Sequence, residues 1–464
     1  MDFKSAKTAG LAVLLVATMI LSASAVMFTD GSDASVTKAT ADAADRALDD
    51  SYDTSRIMTV GVGTLRWVCY FGHSDDVVCI DAGDANNASW NGKAYRSLFD
   101  FDQAGLVSNM SGASINPTEA HITSYGMACH DHNDFSTANL ENLNDWTSKP
   151  TVTIVSKTAW NGFADGVKTG LPTITKVVVI EEVDAFMDGS GNLSATFSSN
   201  LSILAAVFND TARADALAAF VKDTVDDIKA LTNGKTSKFS AAYVGGASQS
   251  GSKALSWSVG DYVPFNLAGV NNGYNNDSSV ATDAGSEVMS SAKPAVIFAD
   301  LSGTAKISDS ASAPILTYAS LNSTPIYTIL PYFWFGLNFD NALADAYLVI
   351  YACYDGVLTY EQCMDKVKAV YKGFYPEMSD GATALNGFST YYSATGSHLT
   401  VDGKAYNYST STSSFSEVDR PAGDVTEPSG DSGSNGNDML VFGGAAIVVI
   451  VVLLGVTLFV TRKP

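Results

Sequence analysis

The side chains best suited to bind a transition metal are concentrated in one short stretch of the sequence. The chain has five histidines and five cysteines, and four of these ten residues (His121, Cys129, His130 and His132) lie between positions 121 and 132. Thiolate and imidazole are ordinary ligands for such metals, but adjacent ligands in one loop lack the spacing of a known metal motif. We therefore interpret the stretch as a polar cleft loop, with a structural metal site as the alternative.

The other four cysteines form two pairs with equal spacing. Cys69 and Cys79, and Cys353 and Cys363, are each ten residues apart and could form disulfides in an exported protein. Cys129 would then be unpaired, although spacing alone does not determine the connectivity.

The sequence lacks the motifs of common enzyme classes. It has no Gly-x-Ser-x-Gly elbow and no His-Glu-x-x-His motif, and residues 251–253 lack the upstream glycine spacing of a phosphate-binding loop. Acidic residues outnumber basic ones by 49 to 27, a net charge of −22, and such a surface repels nucleic acid. We expect no enzyme activity, no cofactor and no nucleic-acid partner.

Both ends of the chain have the composition of membrane-targeting segments. Residues 1–25 have the basic start, apolar stretch and small-residue cleavage site of a signal peptide, with an uncleaved anchor as the alternative. Residues 439–460 carry no charge and, at about 1.5 Å per residue, can cross a hydrocarbon core of about 30 Å. Because Arg462 and Lys463 follow, we predict a single-pass cell-membrane protein whose ectodomain lies outside the cytoplasm.

The segment before the predicted span is rich in Ser, Thr, Gly, Pro and Asp, which predicts a flexible stalk over residues 409–438. The ectodomain also contains Asn-x-Ser/Thr sequons, which are either glycan sites or chance matches in an Asn- and Ser-rich chain. They begin at Asn87, Asn109, Asn192, Asn200, Asn209, Asn276, Asn322 and Asn407.

Short apolar runs alternate with helical patterns along the ectodomain, which predicts an α/β fold. Predicted strands cover 57–62, 77–80, 151–156 and 174–180 in the first half, and 239–244, 295–299 and 325–330 in the second. Predicted helices cover 64–71, 341–354 and 359–371. Between the halves, apolar residues spaced three and four apart predict one long amphipathic helix over 209–231, with Asn209 or Asp210 as N-cap.

The sequence therefore predicts two α/β lobes joined by one long interlobe helix, with an N-terminal signal peptide and a C-terminal transmembrane helix. The predicted boundaries are 1–25 for the signal peptide, 26–54 for an acidic leader, 55–202 for the N-terminal lobe, 203–233 for the interlobe helix, 234–376 for the C-terminal lobe, 377–408 for an extension, 409–438 for the stalk, 439–460 for the span and 461–464 for a cytoplasmic tail.

Several stretches, in this order, resemble the type III periplasmic-binding proteins, which serve vitamin B12, haem, siderophore and some molybdate importers. They are 56–66 with 72–80, 139–143 before Lys149-Pro150, 243–246 before 262–265, 293–300, and 327–347. The resemblance covers about 56–375 and is interrupted by an insertion at 86–111 and a weak match at 182–200. The predicted stalk and span resemble the way archaea tether solute-binding proteins.

This resemblance implies an extracytoplasmic substrate-binding subunit of an ABC importer, which takes a metal chelate such as a ferric siderophore, haem or a corrinoid and docks onto the permease and ATPase subunits. It implies permease-docking roles for Glu141 and Glu287, which precede Lys-Pro and a buried strand in each half. The candidate ligand-binding residues, in loops after strands, are Thr64, Arg66, His130, His132, Ser248, Gln249, Trp257, Tyr262, Tyr332, Trp334 and Asn338.

Other interpretations remain open at this level. A molybdate- or tungstate-binding subunit is the first alternative, and a structural cell-surface protein is the second. Individual candidates also have plainer roles: Arg66 could be an ion-pair partner, Trp334 a core residue, and His130 and His132 ordinary loop residues.

Overall fold

The computed structural model describes residues 35–61, 63–81, 84, 93–99, 128–130, 135–146, 149–188, 191–248, 252–274, 276, 279, 281–285, 287–333, 337–394 and 399–421. The predicted signal peptide, the predicted transmembrane helix and residues 422–438 of the predicted stalk lie outside these ranges. Within them, no helix combines the length and apolarity needed to cross a bilayer.

The N-terminal lobe is built on a five-stranded parallel sheet. Its strands are β1 (Ile57–Val60), β2 (Val77–Asp81), β3 (Ala128–His130), β4 (Val152–Ser156) and β5 (Lys176–Ile180), in the spatial order β3-β2-β1-β4-β5. Every residue of β1, β2 and β4 is buried, as expected for strands covered on both faces. The four strands predicted in this half are confirmed, and β3 was not predicted.

Among the residues described in this lobe, five helices accompany the sheet. They are α1 (Thr64–Tyr70), α2 (Thr137–Asn144), α3 (Lys157–Gly162), α4 (Asp165–Ile174) and α5 (Ala195–Val207), and 3-10 turns cover Ser74–Asp76 and Ala94–Leu98. The Ser156 and Ser194 hydroxyls cap α3 and α5 by accepting hydrogen bonds from backbone N–H groups of the first turns.

One helix of 22 residues, α6 (Thr211–Thr232), leads from the first lobe to the second. The Asp210 carboxylate accepts a hydrogen bond from the N–H of Arg213 at 2.8 Å and so caps the helix. Its buried positions follow helical spacing: Ala214, Leu217, Val221, Thr224, Val225 and Ile228. The predicted helix over 209–231 and its N-cap are confirmed.

The C-terminal lobe contains a mixed five-stranded sheet in the order β12-β11-β10-β9-β6. Strands β6 (Ala242–Gly245), β9 (Val296–Asp300) and β10 (Ile326–Ile329) are parallel, whereas β11 (Ala405–Ser409) and β12 (Ser414–Val418) are antiparallel additions. A two-stranded ladder, β7 (Trp257–Ser258) with β8 (Thr282–Asp283), lies beyond β6. The three strands predicted in this half are confirmed.

The helices of this lobe are α7 (Val263–Ala268), α8 (Val288–Ala292), α9 (Leu301–Thr304), α10 (Ala313–Asn322), α11 (Phe339–Cys353), α12 (Tyr360–Phe374) and α13 (Ala382–Ala394). Helices α11 and α12 confirm the two predicted over 341–354 and 359–371. Thr359 and Gln362 form a capping box at the start of α12.

One hydrophobic core runs through both lobes. It includes Ile57 and Ile154 of the first sheet, Leu217 of α6, and Phe298 and Leu343 of the second lobe, all with no exposed surface. Smaller clusters fill the far face of each sheet, around Val155 in the first lobe and Ile297 in the second. The lobes are therefore packed onto each other as well as joined by α6.

The acidic segment before β1 lies against the edge of the first sheet. The Asp42 carboxylate accepts a hydrogen bond from the N–H of Val179 in β5 at 3.0 Å, and the N–H of Ala43 donates to the Val179 carbonyl at 3.0 Å. Arg46 pairs with Asp42 at 2.5 Å and donates to the Val177 carbonyl at 2.7 Å. Residues 35–54, assigned from sequence to a leader, are thus part of the folded lobe, because they pair with a strand edge that would otherwise be open.

The C-terminal segment also differs from the assignment made from composition. Residues 409–421, assigned to the stalk, include β12, whose Phe415 packs on Tyr408 of β11 with ring centroids 5.0 Å apart. Arg420 then donates to the Tyr354 carbonyl at 2.7 Å, and Lys238 donates to the Pro421 carbonyl at 2.7 Å. The fold therefore extends to Pro421, because hairpin pairing and ring packing order a polar sequence.

Asp42→Ala should lower the free energy of unfolding by about 3 kcal/mol, because it removes the partner of Arg46 and leaves the buried N–H of Val179 without an acceptor. Urea unfolding followed by circular dichroism measures this change. Asp50→Ala, at an exposed position of the same segment, is the control and should change stability by less than about 0.5 kcal/mol. Equal effects of the two substitutions would contradict the proposed edge pairing.

Candidate functional site

Loops at the carboxyl edges of the two sheets meet each other. Arg66, in the helix that follows β1, donates from Nη1 to the carbonyl of Leu337, in the loop that follows β10, at 2.9 Å, and from Nη2 to the Asn338 side-chain oxygen. In α/β folds, ligands bind outside the carboxyl ends of the strands. The facing loops of the two lobes are therefore the candidate site.

In the first lobe, a close backbone approach fixes the loop after β1. Gly61 has a φ of +95°, and a Cβ atom at this position would lie 2.3 Å from the Ser156 hydroxyl. Its N–H donates to the Asp81 carboxylate, at the end of β2, at 3.0 Å. The predicted site residue Thr64 is buried, and its hydroxyl donates to the Gly61 carbonyl at 2.9 Å. Thr64 thus supports the loop from within.

In the second lobe, Asp300 has the corresponding position at the end of β9. Its carboxylate accepts hydrogen bonds from the Ser302 N–H at 2.8 Å, the Ser302 hydroxyl at 2.6 Å and the Tyr332 N–H at 3.0 Å. Burial raises the pKa of Asp300 to about 7, although these hydrogen bonds oppose the shift. Asp300 therefore holds together the loops after β9 and β10.

The predicted ligand residues Tyr262 and Tyr332 are brought together, but in the interior. Their rings are 4.6 Å apart, and both side chains are buried. The Tyr262 hydroxyl donates to Asp345 at 3.3 Å, and the Val263 N–H donates to the Tyr332 hydroxyl at 3.3 Å. Both tyrosines therefore support the loop walls and do not present ring faces to a ligand.

Arg66 and Asn338 are also brought together, across the two lobes. Both are buried, and the Arg66 guanidinium lies 5.9 Å from the Tyr95 ring centroid. The Asn338 amide donates to the Pro331 carbonyl at 3.1 Å. These contacts give the pair an interlobe role through bonds to neutral protein groups.

A second arginine bridges the lobes at the start of α6. Arg213 donates to the carbonyl of Tyr70 in α1 at 2.6 Å and to the carbonyls of Gly373 and Phe374 in α12 at 2.9 and 2.8 Å. Burial lowers its pKa to about 10, so it remains charged at neutral pH. The contact fixes α1 against α12.

Aromatic rings also pack across the two lobes. Phe339, at the start of α11, contacts Trp67, Phe186 and Phe197 of the first lobe at centroid distances of 6.1, 5.9 and 5.4 Å. Such pairs contribute about 1 kcal/mol each beyond their burial. The lobes are therefore held by packing that hinge opening would have to break.

Of the predicted aromatic residues that the structure describes, Trp257 retains an accessible side chain. It is half-buried in β7, beyond the carboxyl end of β6, where its carbonyl accepts a hydrogen bond from the Gly246 N–H at 2.8 Å. The Lys253 ammonium lies 4.7 Å from its ring centroid. Ser248, in the same loop region, is buried.

The remaining predicted ligand residues are described in part or not at all. The backbone of His130 forms the end of β3, and His132, Gln249 and Trp334 lie outside the described residues. Cys129 also lies in β3, whereas His121 and residues 131–132 lie outside the described residues. The alternative of a metal there therefore stays a prediction. Among the described residues, no three His, Cys, Asp or Glu side chains form a metal-binding group.

A buried charged cluster beside Arg66 was missed by the sequence analysis. Tyr95 donates to the Asp84 carboxylate at 2.7 Å, and the Lys93 ammonium lies 3.4 Å from the Asp84 carbonyl, all with little or no exposure. Burial lowers the pKa of Lys93 and raises that of Asp84. Asp84 precedes the insertion at 86–111, and Lys93 and Tyr95 lie within it. Its polar composition gives no sign of burial, so no sequence signal singled these residues out.

The two disulfides considered from spacing do not form. Cys69, Cys353 and Cys363 are free and buried, whereas Cys79 is disulfide-bonded. The first pair does not form because Cys69, in α1, belongs to the shared core on one face of the first sheet, whereas Cys79 belongs to the cluster on the other face.

Residues 112–313 match the model of the family described as periplasmic binding protein. The match runs from the first lobe through α6 into the second. No curated protein matches the sequence.

Several solved structures are similar at low sequence identity. A periplasmic solute-binding protein from Veillonella parvula DSM 2008 is 12% identical, with a TM-score of 0.48 over 73% of this chain and 93% of that one. The molybdate periplasmic binding protein of Haemophilus influenzae, solved with molybdate, is 14% identical, with a TM-score of 0.46 over 72% and 97%. The haem-binding protein RhuT from Roseiflexus sp. RS-1 is 14% identical, with a TM-score of 0.38 over 69% and 100%.

The pKa of Asp300 predicts a pH-dependent stability. Between its ordinary value of 3.8 and about 7, the folded chain keeps a proton that the unfolded chain has released. The free energy of unfolding should therefore fall as the pH rises through this window, by about 1.4 kcal/mol per pH unit at the steepest. In Asp300→Asn, urea unfolding from pH 4.5 to 8 should lack this contribution.

The stability advantage of the wild type over Asp300→Asn should thus shrink from pH 4.5 to pH 8. Asp365→Asn, an exposed position on α12, is the matched control and should have the wild-type pH profile. A difference between wild type and Asp300→Asn that stays constant with pH would rule out titration of Asp300 in this range.

Proposed function

We propose that this chain is the extracytoplasmic substrate-binding subunit of an ABC importer for a metal chelate. The observation that carries the proposal is a pair of α/β lobes, each with parallel strands, joined by the single helix α6 and meeting through their carboxyl-edge loops. The periplasmic binding protein match spans this junction. Such an arrangement supports capture of a solute between the lobes.

The contacts between the lobes favour a preformed site. The arginine contacts at Arg66 and Arg213 and the rings around Phe339 would all have to separate for a wide opening. A preformed site suits a ligand that is itself rigid, because little conformational entropy is then lost on either side. Metal chelates such as haem, corrinoids and ferric siderophores are rigid ligands of this kind.

The charges at the carboxyl edges favour a chelate over a small oxoanion. Two cations there already bind protein partners: Lys157 is paired with Glu181 at 2.8 Å, and Arg66 is bonded to Leu337 and Asn338. A molybdate or tungstate ion would need several converging donors. Trp257 with Lys253 instead offers a flat ring beside a positive charge, which fits the face and edge of a large anionic chelate.

Ligand binding to the full chain tests this proposal directly. Native mass spectrometry and thermal-shift assays with haem, cobalamin, ferric siderophores and molybdate should find one metal chelate that binds with 1:1 stoichiometry. Trp257→Ala should weaken this binding about tenfold or more, because a central aromatic contact contributes at least about 1.4 kcal/mol.

Trp160→Ala is the matched control, since Trp160 is half-buried on α3, where it contacts Arg46 instead of the candidate site. It should leave the affinity unchanged. Binding of molybdate alone would favour the oxoanion alternative. Failure of every chelate and of molybdate to bind would refute the importer function in both forms.

The permease-docking proposal concerns Glu141 and Glu287. Both are exposed: Glu141 lies on α2, and Glu287 is the N-cap of α8. Each helix is followed by Lys-Pro and then by a buried strand, β4 or β9. One carboxylate on each lobe can pair with two cationic positions on a permease, which fixes orientation and speeds encounter.

Reversing both charges should therefore weaken the complex. With the double variant Glu141→Arg and Glu287→Arg, the amount of ABC permease that copurifies with the full chain from native membranes should fall at least about tenfold. Glu361→Arg, at an exposed position on α12, should copurify the permease as the wild type does. Unchanged copurification by the double variant would remove these residues from the docking surface without affecting ligand binding.

The proposed location is the outer face of the cell membrane, with the signal peptide at 1–25 and the membrane span at 439–460. This part of the proposal rests on the sequence. Export would make the exposed sequon asparagines Asn192, Asn209 and Asn322 available for glycosylation. Asn200 is excluded in the folded chain, because it is fully buried and its amide is bonded to the backbone of Glu181 at 2.8 and 2.9 Å.

A further inference from the structure

The second lobe has a groove on the side of its sheet away from the first lobe. Its volume is about 560 Å³, and it lies between the loop over residues 304–310, helix α10 and the β11–β12 hairpin. Helix α10 packs in the cluster around Ile297, whereas the helices that contact the first lobe pack in the shared core on the other face. The groove is therefore separate from the candidate cleft.

The lining of this groove combines polar and apolar surface. Eight of its twelve residues carry a hydroxyl or a carboxylate, and none carries a positive charge. Ser308, Asp309 and Ser310 on the loop, Thr317 on α10 and Thr410 on the hairpin are exposed. Each hydroxyl both donates and accepts hydrogen bonds, and the carboxylate accepts at two oxygens.

Apolar surface supplements these oxygens at the base of the groove. Leu316 is buried there, and Ile307 is half-buried. Tyr408 is half-buried and is held by Phe415, with ring centroids 5.0 Å apart. A fixed aromatic side chain combines a flat apolar surface with a polar hydroxyl.

This chemistry selects among ligand classes. An anion would meet Asp309 and no cation in a chain with a net charge of −22. A divalent cation requires several oxygen ligands with more than one carboxylate in most sites, and the groove offers a single carboxylate. An apolar ligand would cover the exposed hydroxyls of Ser308, Ser310 and Thr317 without forming hydrogen bonds to them.

We propose that the groove binds a neutral saccharide. Sugar hydroxyls both donate and accept hydrogen bonds, and the C–H faces of the ring pack on aromatic and aliphatic side chains. A volume of about 560 Å³ falls in the range of small-ligand sites. The site is formed with the C-terminal hairpin and does not depend on the ligand of the cleft.

Saturation-transfer NMR on the full chain, kept free of sugar-based detergents, tests the proposal with the methyl glycosides of glucose, galactose, mannose and N-acetylglucosamine. At least one glycoside should receive saturation from the protein. Thr317→Trp and, from the opposite wall, Ser310→Trp should each lower this signal at least tenfold by filling the groove. Both positions are exposed, so the variants should fold, as checked by thermal unfolding.

Thr169→Trp, on the exposed side of α4 in the first lobe, is the matched control and should keep the wild-type signal. The proposal is overturned if no glycoside receives saturation, if both groove variants keep the signal, or if inorganic phosphate displaces the glycoside. Binding of a metal chelate in the cleft is measured separately, so either proposal can fail while the other stands.

Discussion

The packing of the two lobes onto each other is the constraint on which the rest of the structure depends. Helix α1 is bonded near both of its ends. The carbonyl of Tyr70, its last residue, accepts a hydrogen bond from Arg213, and Arg66 in its first turn donates to the loop after β10. Phe339, at the start of α11, contacts three rings of the first lobe. A buried guanidinium separated from its carbonyl partners loses its compensation for desolvation, so breaking the contacts of either arginine would be costly. The lobes therefore behave as one packed body, which agrees with the core that passes through both of them.

This arrangement also explains the geometry at the carboxyl edges. Asp81 and Asp300 each sit at the end of a parallel strand and accept a hydrogen bond from the backbone of the loop after a neighbouring strand. The two lobes thus position these loops in the same way, through a buried carboxylate at the end of the neighbouring strand. Each carboxylate helps to hold its loop in place by accepting a hydrogen bond from the loop backbone. The burial that makes the Asp300 contact strong also raises its pKa to about 7, so the loops after β9 and β10 are joined by a group that can change charge near neutral pH.

Both ends of the described chain complete the sheets of their lobes. The segment around Asp42 pairs with β5, and the hairpin of β11 and β12 extends the second sheet beyond β10. Open strand edges pair readily with other chains, so covering β5 protects the first sheet. The turn of this hairpin also forms one wall of the groove beside α10. An element that extends the sheet thus also forms a surface of different chemistry from that of the cleft.

The sequence by itself determined the elements whose signals are local. Buried parallel strands appear as continuous β-branched runs, and α6 appears as apolar residues spaced three and four apart behind an N-cap, so the two lobes and their connection could be predicted. The positions of Glu141 and Glu287 before matching strands were also readable. Tertiary structure decided what each polar or aromatic residue does: Arg66, Tyr262, Tyr332 and Asn338 occur after strands, as ligand residues would, yet they are buried in contacts with residues distant in the sequence. Composition likewise assigned 35–54 to a leader before the fold and 409–421 to a flexible stalk, because hydrogen bonds to a strand edge and ring packing across a hairpin leave no periodic pattern. The physical reason is the same throughout: periodicity records which side of an element is buried, but not which distant residue it is buried against.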